Sequence, residues 1–415
     1  RDGSSKFAKE NRWGMFPSAS VAWNVTDEPF LRSAHKVINN FKIRASYGTT
    51  GNQSFSPYTY TTSISTATGL GYVFGSSTSV PGATQVSFAN PNVKWETAKQ
   101  FNLGTDMAFF SNKITFSAEY YNTNKSDMLF PIEIPGSSGG TTNYNSKRVV
   151  LNVGDMTNSG IELAAEYRTL IGNFSYGIKG TFSTNHNEIT RINGQGGFIY
   201  TNDNGLIPES KATSQITVLA EGHEAGAFYL YQTNGIVDTH KKLADYQLIV
   251  PTARMGDLIY KDTNKDGKIS NADLVYSGSG IPKYEVGCNL NFAYKGFDLN
   301  MNIYSALGHN IMNGSKAVSF QYGRNQDLVN SWTEANPNTT IPVYRGIQHS
   351  NYLAYTDLWL EDGSYIRLKQ VSLGYSLPQQ VVTALKLSQV RAYISGQNLF
   401  TLTKYSGYDP EIGGD

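Results

Sequence analysis

Cysteine, charge and long apolar runs are all scarce in this 415-residue sequence, and each scarcity excludes something. The one cysteine, Cys288, rules out a disulfide within the chain. It falls in the apolar phase of an alternating segment, which suits a small buried or lipid-facing side chain and leaves the redox compartment open. Charged residues make up 16% of the chain, against about 25% in an average domain. Lys and Arg number 34 and Asp and Glu 33, a net charge of +1, so the electropositive surface that nucleic acid demands is missing and no such partner is expected. A helical membrane protein needs runs of about 20 apolar residues, and none occurs; the longest charge-free stretch, residues 45–93, is full of Ser, Thr and Gly and reads as a polar loop. What fills the gap is 27 Tyr, 20 Phe, 5 Trp and 40 Gly, too aromatic for disorder and weighted towards β structure. The chain opens at Arg1 with neither an initiator Met nor a leader, so we read it as beginning inside a longer protein; its end, residues 409–415, is polar and turn-like, with no closing strand after it.

Strict two-residue alternation recurs in segments of about ten residues. In residues 113–121 the apolar phase is Ile114, Phe116, Ala118 and Tyr120; in 160–168 it is Ile161, Leu163, Ala165 and Tyr167, against Glu162 and Glu166. In 173–183 it is Phe174, Tyr176, Ile178 and Phe182, and in 296–307 Phe297, Leu299, Met301 and Ile303. Further copies fall at 17–25, 41–47, 101–109, 283–294, 365–377 and 390–399. Many antiparallel strands with one greasy face suit either a soluble sandwich or barrel, or a transmembrane barrel whose apolar face meets lipid. Strand lengths near those needed to cross the hydrocarbon favour the membrane barrel. So do tight turns alternating with long polar loops, at about 48–96, 125–158, 186–282 and 309–364, and aromatics clustered at strand ends, as in Phe109-Phe110 and Tyr120-Tyr121. The fold class expected is therefore all-β, a transmembrane antiparallel β-barrel occupying residues 1–415.

Ordered blocks along the whole chain carry a resemblance. They include Asn11-Arg-Trp-Gly-Met-Phe-Pro-Ser-Ala-Ser-Val-Ala-Trp23, Phe41-Lys-Ile-Arg-Ala-Ser-Tyr-Gly48, Asn92-Val-Lys-Trp-Glu-Thr97, Asn158-Ser-Gly-Ile-Glu-Leu163, Gly256-Asp-Leu-Ile-Tyr-Lys-Asp262, Glu361-Asp-Gly-Ser-Tyr-Ile-Arg-Leu-Lys369 and Gly396-Gln-Asn-Leu-Phe400. Together they resemble the barrel of SusC/RagA-like TonB-dependent outer-membrane transporters. The resemblance implies a barrel of about 22 strands to which this chain supplies roughly the carboxy-terminal half, with the plug domain and TonB box outside it. It also implies integral location in the outer membrane of a Gram-negative bacterium and TonB-driven import of an oligosaccharide or oligopeptide beneath a SusD-like surface lipoprotein. An adhesin or structural barrel without transport is the alternative.

One local motif points to a metal. Asp262, Asn264 and Asp266 stand at positions 1, 3 and 5 of a loop, Gly267 at 6, the Lys268 carbonyl at 7 and Asp273 at 12, the oxygen spacing a calcium ion takes, with Asp in place of the usual closing Glu. A structural calcium in an extracellular loop is expected from it, a solvated Asx-rich turn being the plainer reading. Catalysis is not expected. The histidines His35, His186, His223, His240, His309 and His349 have no metal-ligand spacing, residues 69–75 are not a dinucleotide fingerprint, and no nucleophile elbow occurs. Glu162 and Glu166 read as charges on the wet side of a barrel wall. Trp95, Tyr144, Tyr229, Tyr231 and Trp359 are loop aromatics that either stack on sugar rings or pack the loops, and residues 327–336 suggest a short helix bearing Leu328 and Trp332. No substrate-binding residue is identified.

Overall fold

The structure is a computed structural model that describes residues 1–66, 71–73, 75, 79–80, 82–85, 88–133, 148–193, 198–200, 216–347, 349–353 and 355–411. Ten long strands are found where the alternation places them: β1 (Ser18–Asn24), β2 (Ile38–Asn52), β3 (Glu96–Phe109), β4 (Ile114–Glu133), β5 (Arg148–Ile171), β6 (Phe174–Thr184), β7 (Tyr284–Tyr294), β8 (Phe297–Leu307), β9 (Tyr365–Ser376) and β10 (Arg391–Thr403). Among the described residues no helix is long and apolar enough to cross a membrane.

Two compact units divide the chain. The first comprises Arg1–Met107, Ser117–Ile161 and His186–Ile199. In it β1 pairs antiparallel with β2, from Ser18 opposite Gly48 to Asn24 opposite Lys42, and the strand His186–Ile192 pairs with the first part of β5 through a bulge at Asp155 and Met156. Its apolar core is small and lies off the strand faces: Phe7 and Val93 are fully buried against Trp95, with the Phe7 ring 4.9 Å from that of Trp95 and 5.0 Å from that of Phe55.

The second unit comprises Ala108–Phe116, Glu162–Asn185 and Tyr200–Asp415. The second part of β5 and strands β6 to β10 form an antiparallel meander in which each strand pairs with its neighbour in sequence. The β7–β8 connection is a two-residue hairpin, Lys295 at φ 47 and Gly296 at φ 88, both left-handed as a turn matching the strand twist requires. Register aligns the two phases across the meander. Tyr167, Ile178, Leu290, Met301 and Val371 stand side by side on one face, and Glu166, Lys179, Asn289, Asn302, Gln370 and Gln397 on the other. A bulge between Asn302 and Ile303 sets Lys369 outside the pairing. The phase of β9 therefore flips there, and Leu368 and Ile366 rejoin the apolar face on which Val371 and Leu373 lie. Near the tight turns the rows end in rings, with Phe297 4.6 Å from Tyr375 and Phe174 6.2 Å from Phe292.

The apolar face is open. Ile178, Val286, Ile366, Leu373 and Ile394 are exposed, Ile394 at 72%, where a sandwich would bury the same phase under a second sheet. Two sequence expectations change. The loop placed at 125–158 is shorter, because β4 runs on to Glu133 and β5 starts at Arg148. The strand runs on past a break at Asp127, whose φ is 59, through the apolar run Met128-Leu129-Phe130-Pro131-Ile132. Residues 327–336 form no α-helix: a 3-10 turn spans Gln326–Asn330 and extended backbone follows at Ser331, leaving Trp332 buried.

The open face carries a prediction. In phospholipid vesicles Ile178→Lys should lower the unfolding free energy by about 2–4 kcal/mol, the cost of a cation near the bilayer midplane. Asn302→Lys on the opposite face should cost under about 0.5 kcal/mol. Denaturant titration of the two variants checks this, and equal costs would contradict the assignment of faces.

Candidate functional site

On the polar face, charges are tied across an intervening glycine. Arg391 on β10 forks onto Asp298 on β8, Nε to Oδ1 at 2.9 Å and Nη2 to Oδ2 at 2.6 Å, reaching over Gly374 of β9, which faces Asp298. A Cβ on Gly374 would lie 2.5 Å from Arg391 Nη2 and 2.6 Å from Asp298 Oδ1, so only glycine leaves that crossing free. The first unit repeats the device. Arg44 on β2 reaches Glu119 on β4 at 2.6 Å and Asp106 on β3 at 3.3 Å, and a Cβ on Gly104 would stand 2.9 Å from its Cζ.

In the second unit the segments between β7's predecessor β6 and β9 carry their own cores. Thr217–Ala220, Ala227–Tyr231 and Leu274–Ser279 pair as a small sheet. Leu230, Phe320, Tyr352 and Trp359 are buried in one cluster with helix α2 (Gly314–Gln321), while Val237, Tyr246 and Ala253 bury the inner side of helix α1 (His240–Gln247) in another. Buried Asp257 ties distant loops together. It accepts from Arg345 Nε at 2.6 Å, Asn351 Nδ2 at 3.1 Å and the Arg254 N–H at 2.8 Å.

The motif expected to hold calcium folds as a compact Asx-turn loop. Asp262 accepts from the Asp266 and Gly267 N–H groups at 3.2 and 2.8 Å, Asn264 Oδ1 also accepts from the Asp266 N–H, and Asp266 accepts from that of Lys268 at 2.9 Å. Oxygens of Asp262 and Asn264 thus converge on one N–H, with Gly267 at φ 81 making the turn. Asp273 is fully buried. Its Oδ1 takes the N–H groups of Thr263 and Asn264, and its Oδ2 that of Ser270 at 2.8 Å. Burial pushes this carboxyl up, but those N–H donors outweigh it and hold the group below the ordinary aspartate range. Through these bonds Asp273 closes the loop. Asp262, Asn264, Asp266 and the Lys268 carbonyl fit a hard cation, while Asp273 keeps a spare lone pair only at Oδ2. Among the described residues no group of three or more His, Cys, Asp or Glu side chains is arranged to hold a metal, so any site here depends on amide and carbonyl oxygen.

Glu361 is a second hub. Its Oε1 accepts from Lys316 Nζ at 2.9 Å, Asn313 Nδ2 at 3.3 Å and Ser406 Oγ at 2.8 Å, and its Oε2 from the Ser406 N–H at 2.7 Å. It thereby joins the start of α2 to the chain after β10. Nearby, almost fully buried Arg367 pairs with Asp409 and Glu411, and Lys369 with Glu411. Burial raises the Glu361 carboxyl; the Ser406 and Lys316 donors more than offset this and leave it below its ordinary value.

The remaining residues singled out in the sequence are dispersed. Glu166 pairs with Arg168 at 3.0 Å, and Glu162 and Glu166 share the polar face without converging on a common point. The histidines take separate local roles: His35 at the Thr26 carbonyl, His186 3.4 Å from Glu188, His223 stacked 4.4 Å from Tyr276, His240 opening α1, His349 capping a turn, and His309 buried. Cys288 is free and sits between Gly180 and Ile303 on the apolar face. Of the loop aromatics, Trp95, Tyr231 and Trp359 are buried and Trp359 Nε1 donates to the Leu353 carbonyl at 2.8 Å, so these pack the loops; Tyr229 lies beside His223 and Tyr276. Tyr144 and part of residues 69–75 lie outside the described residues. The sequence reading passed over Glu361 and Gly374. The signal for Gly374 was a glycine in the polar phase of a strand, legible only once register sets it between Asp298 and Arg391.

Comparison with known proteins agrees in kind. The family model described as TonB dependent receptor-like, beta-barrel matches residues 1–399. TonB-dependent receptor P3 of Formosa agariphila is 35% identical over 99% of the chain and 40% of its own length; TonB-dependent receptor SusC of Bacteroides thetaiotaomicron is 27% identical over 99% and 39%. Among solved structures, that of the RagAB peptide transporter superposes with a TM-score of 0.79 at 23% identity, over 99% of this chain and 42% of the other. The chain spans about two fifths of the length of the relatives it matches.

Glu361 makes the loops acid-sensitive. With its folded-state pKa depressed, its contribution is complete above the ordinary value of 4.5 and is lost as pH falls through the lower folded value. Limited proteolysis mapped by mass spectrometry should show residues 309–364 opening below about pH 4.5 in the wild type, whereas Glu361→Gln should be more readily cut at neutral pH and change little on acidification. Parallel pH profiles for the two proteins would refute the assignment.

Proposed function

This chain belongs to the TonB dependent receptor-like β-barrel family, and from that premise we propose that it forms wall and outer loops of an outer-membrane importer that takes up oligosaccharides or oligopeptides when TonB draws on a plug. The observation that carries this reading is the pair of faces on β5 to β10. Apolar side chains in register stand exposed on one, and amides, carboxylates and bridged ion pairs cover the other. Hydrocarbon covers the first face and a wet lumen meets the second. The tight turns at one end and the loops with cores of their own at the other fit a periplasmic and an extracellular side. A SusD-like surface lipoprotein is the partner this reading assigns to the loops. Of the two cargo classes, peptide is the one named for a solved structure this chain is similar to, the RagAB peptide transporter; oligosaccharide rests on the resemblance read in the sequence. No residue cluster among those described suggests covalent catalysis. The test is uptake: cells whose only copy is the full-length protein should accumulate its labelled nutrient, and removing TonB should abolish accumulation while leaving surface binding. Accumulation indifferent to TonB would overturn importer in favour of a binding or structural barrel.

We further propose that the loop of Asp262, Asn264, Asp266, Lys268 and Asp273 takes a structural calcium. The oxygens of positions 1 and 3, which converge on the Asp266 N–H, and the oxygen spacing of the loop support it; the ion would stiffen the loop and take no part in chemistry. Calcium titrated calorimetrically into chelator-treated full-length protein should release heat and raise the melting temperature, and Asp262→Ala should remove both effects. Absence of heat at millimolar calcium, with unchanged melting, would exclude the ion.

A further inference from the structure

Four connections close the second unit at its tight-turn end, residues 110–113, 172–173, 295–296 and 377–390. Together they hold three lysines, Lys113, Lys295 and Lys386, and no Asp or Glu. The arginines just inside them are neutralised, Arg168 by Glu166 at 3.0 Å and Arg391 by Asp298 at 2.6 Å. The three lysines are exposed, and none of them forms an ion pair among the described residues. Turn geometry does not ask for lysine at these places. Lys295 at φ 47 and Lys386 at φ 56 are left-handed, where Gly or Asn would sit with less strain, and Lys113 follows three left-handed residues, Phe110, Ser111 and Asn112.

Immediately behind these cations the wall is aromatic. Phe174, Tyr294, Phe297 and Tyr375 stand side by side on four strands, in the phase of Ile178, Leu290, Met301 and Val371 and therefore on the lipid-facing side. Lys295 Nζ lies 5.2 Å from the centroid of the Tyr294 ring, so this ammonium is held on the side of that row. The β7–β8 turn has a paired strand on each flank, β6 and β9, and its surroundings are those of a continuous wall. In the 377–390 connection the Leu377 N–H donates to the Val390 carbonyl at 2.9 Å, and Leu377 continues the lipid-facing phase of Leu373 and Tyr375. Val382, 1% exposed, pins the short helix α3 (Gln379–Ala384), and Lys386 beyond it stands between Leu385 and Leu387, both more than half exposed. Rings collect at the level between hydrocarbon and headgroups, and a lysine stem can lie along apolar surface while its ammonium reaches the phosphates. An acidic protein segment would use the lysines and leave the rings and leucines idle; a lipid uses both.

We propose that the tight-turn end of this wall binds anionic phospholipid headgroups of the leaflet it faces. Lys113, Lys295 and Lys386 donate charge-assisted hydrogen bonds to lipid phosphate oxygens, while the row from Phe174 to Tyr375 and the pair Leu385 and Leu387 lie at the acyl boundary. Cations at the tips and rings just behind them fix the depth of the strands in the bilayer. The belt needs only the barrel wall and holds whatever the cargo.

The test uses the full-length protein in phosphatidylcholine bilayers carrying a trace of spin-labelled phosphatidylglycerol or spin-labelled phosphatidylcholine, and compares the fraction of each label immobilised at the protein. A preference for phosphatidylglycerol of about fivefold is expected at low salt, the factor that one lysine near a charged lipid surface is worth, fading in about 1 M NaCl. The combined variant Lys113→Gln, Lys295→Gln and Lys386→Gln should bring the two lipids close to parity. Lys241→Gln, Lys261→Gln and Lys265→Gln together, which remove the same charge from the long loops, should leave the preference intact. Heat-modifiable migration of each variant controls for folding. No preference in the wild type, a preference that survives in the turn variant, or equal loss in both variants overturns the proposal. So does binding of polyglutamate without any lipid preference and lost in the turn variant, which would give these lysines to an acidic protein partner.

Discussion

The structure depends on a division of labour between its two strand faces, kept in step by register. In a water-soluble protein the apolar phase of a strand must find a partner layer. Here Ile178, Leu290, Met301 and Val371 form a row across four strands, and among the described residues Ile178, Val286, Ile366 and Leu373 of that face stand exposed instead of lying under a second layer. A slip of one residue in any pair would send that row to the wet face and place Lys179 and Asn289 in hydrocarbon, so the turns and the β8–β9 bulge matter as much as the side chains. Backbone satisfaction imposes the same demand: in hydrocarbon each N–H and C=O must be paired by a neighbouring strand, and the ladder from β5 to β10 does this along its length apart from the bulge at Lys369.

Because lipid takes the place of a core beneath the strands, the protein's own cores are elsewhere. Most of the fully buried large side chains belong to loops, as with Phe7 and Val93 in the first unit and Leu230, Val237 and Val382 in the second. Loops of such length would be costly to order without these clusters and without polar hubs. Asp257 and Glu361 each gather donors that are far apart in sequence.

The strands were legible in the sequence because period-two alternation is a local signal, repeated in all ten, and the tight turns carried their own marks in Lys295 and Gly296. The loops were not. Whether Trp359 meets a sugar or a protein core depends on Phe320 and Tyr352, residues that only the folded chain brings beside it. The short helix expected at 327–336 ended after one turn, and α2 arose instead at Gly314–Gln321, where Asn313 caps it through the Lys316 N–H at 3.0 Å. The continuation of β4 to Glu133 was masked by its polar stretch from Asn122 to Lys125, which alternation alone reads as a loop. The acidic loop was fully visible in the sequence, since its spacing is contiguous; the buried use of Asp273 as the clamp of that loop was not.

The glycines at 104 and 374 have a consequence for anything moving past the polar face. By removing a side chain from the middle strand they let Arg44 and Arg391 lie down along the sheet instead of projecting from it. Each guanidinium is capped by a carboxylate, so these two charges stay paired and flat against the strands instead of standing out from them.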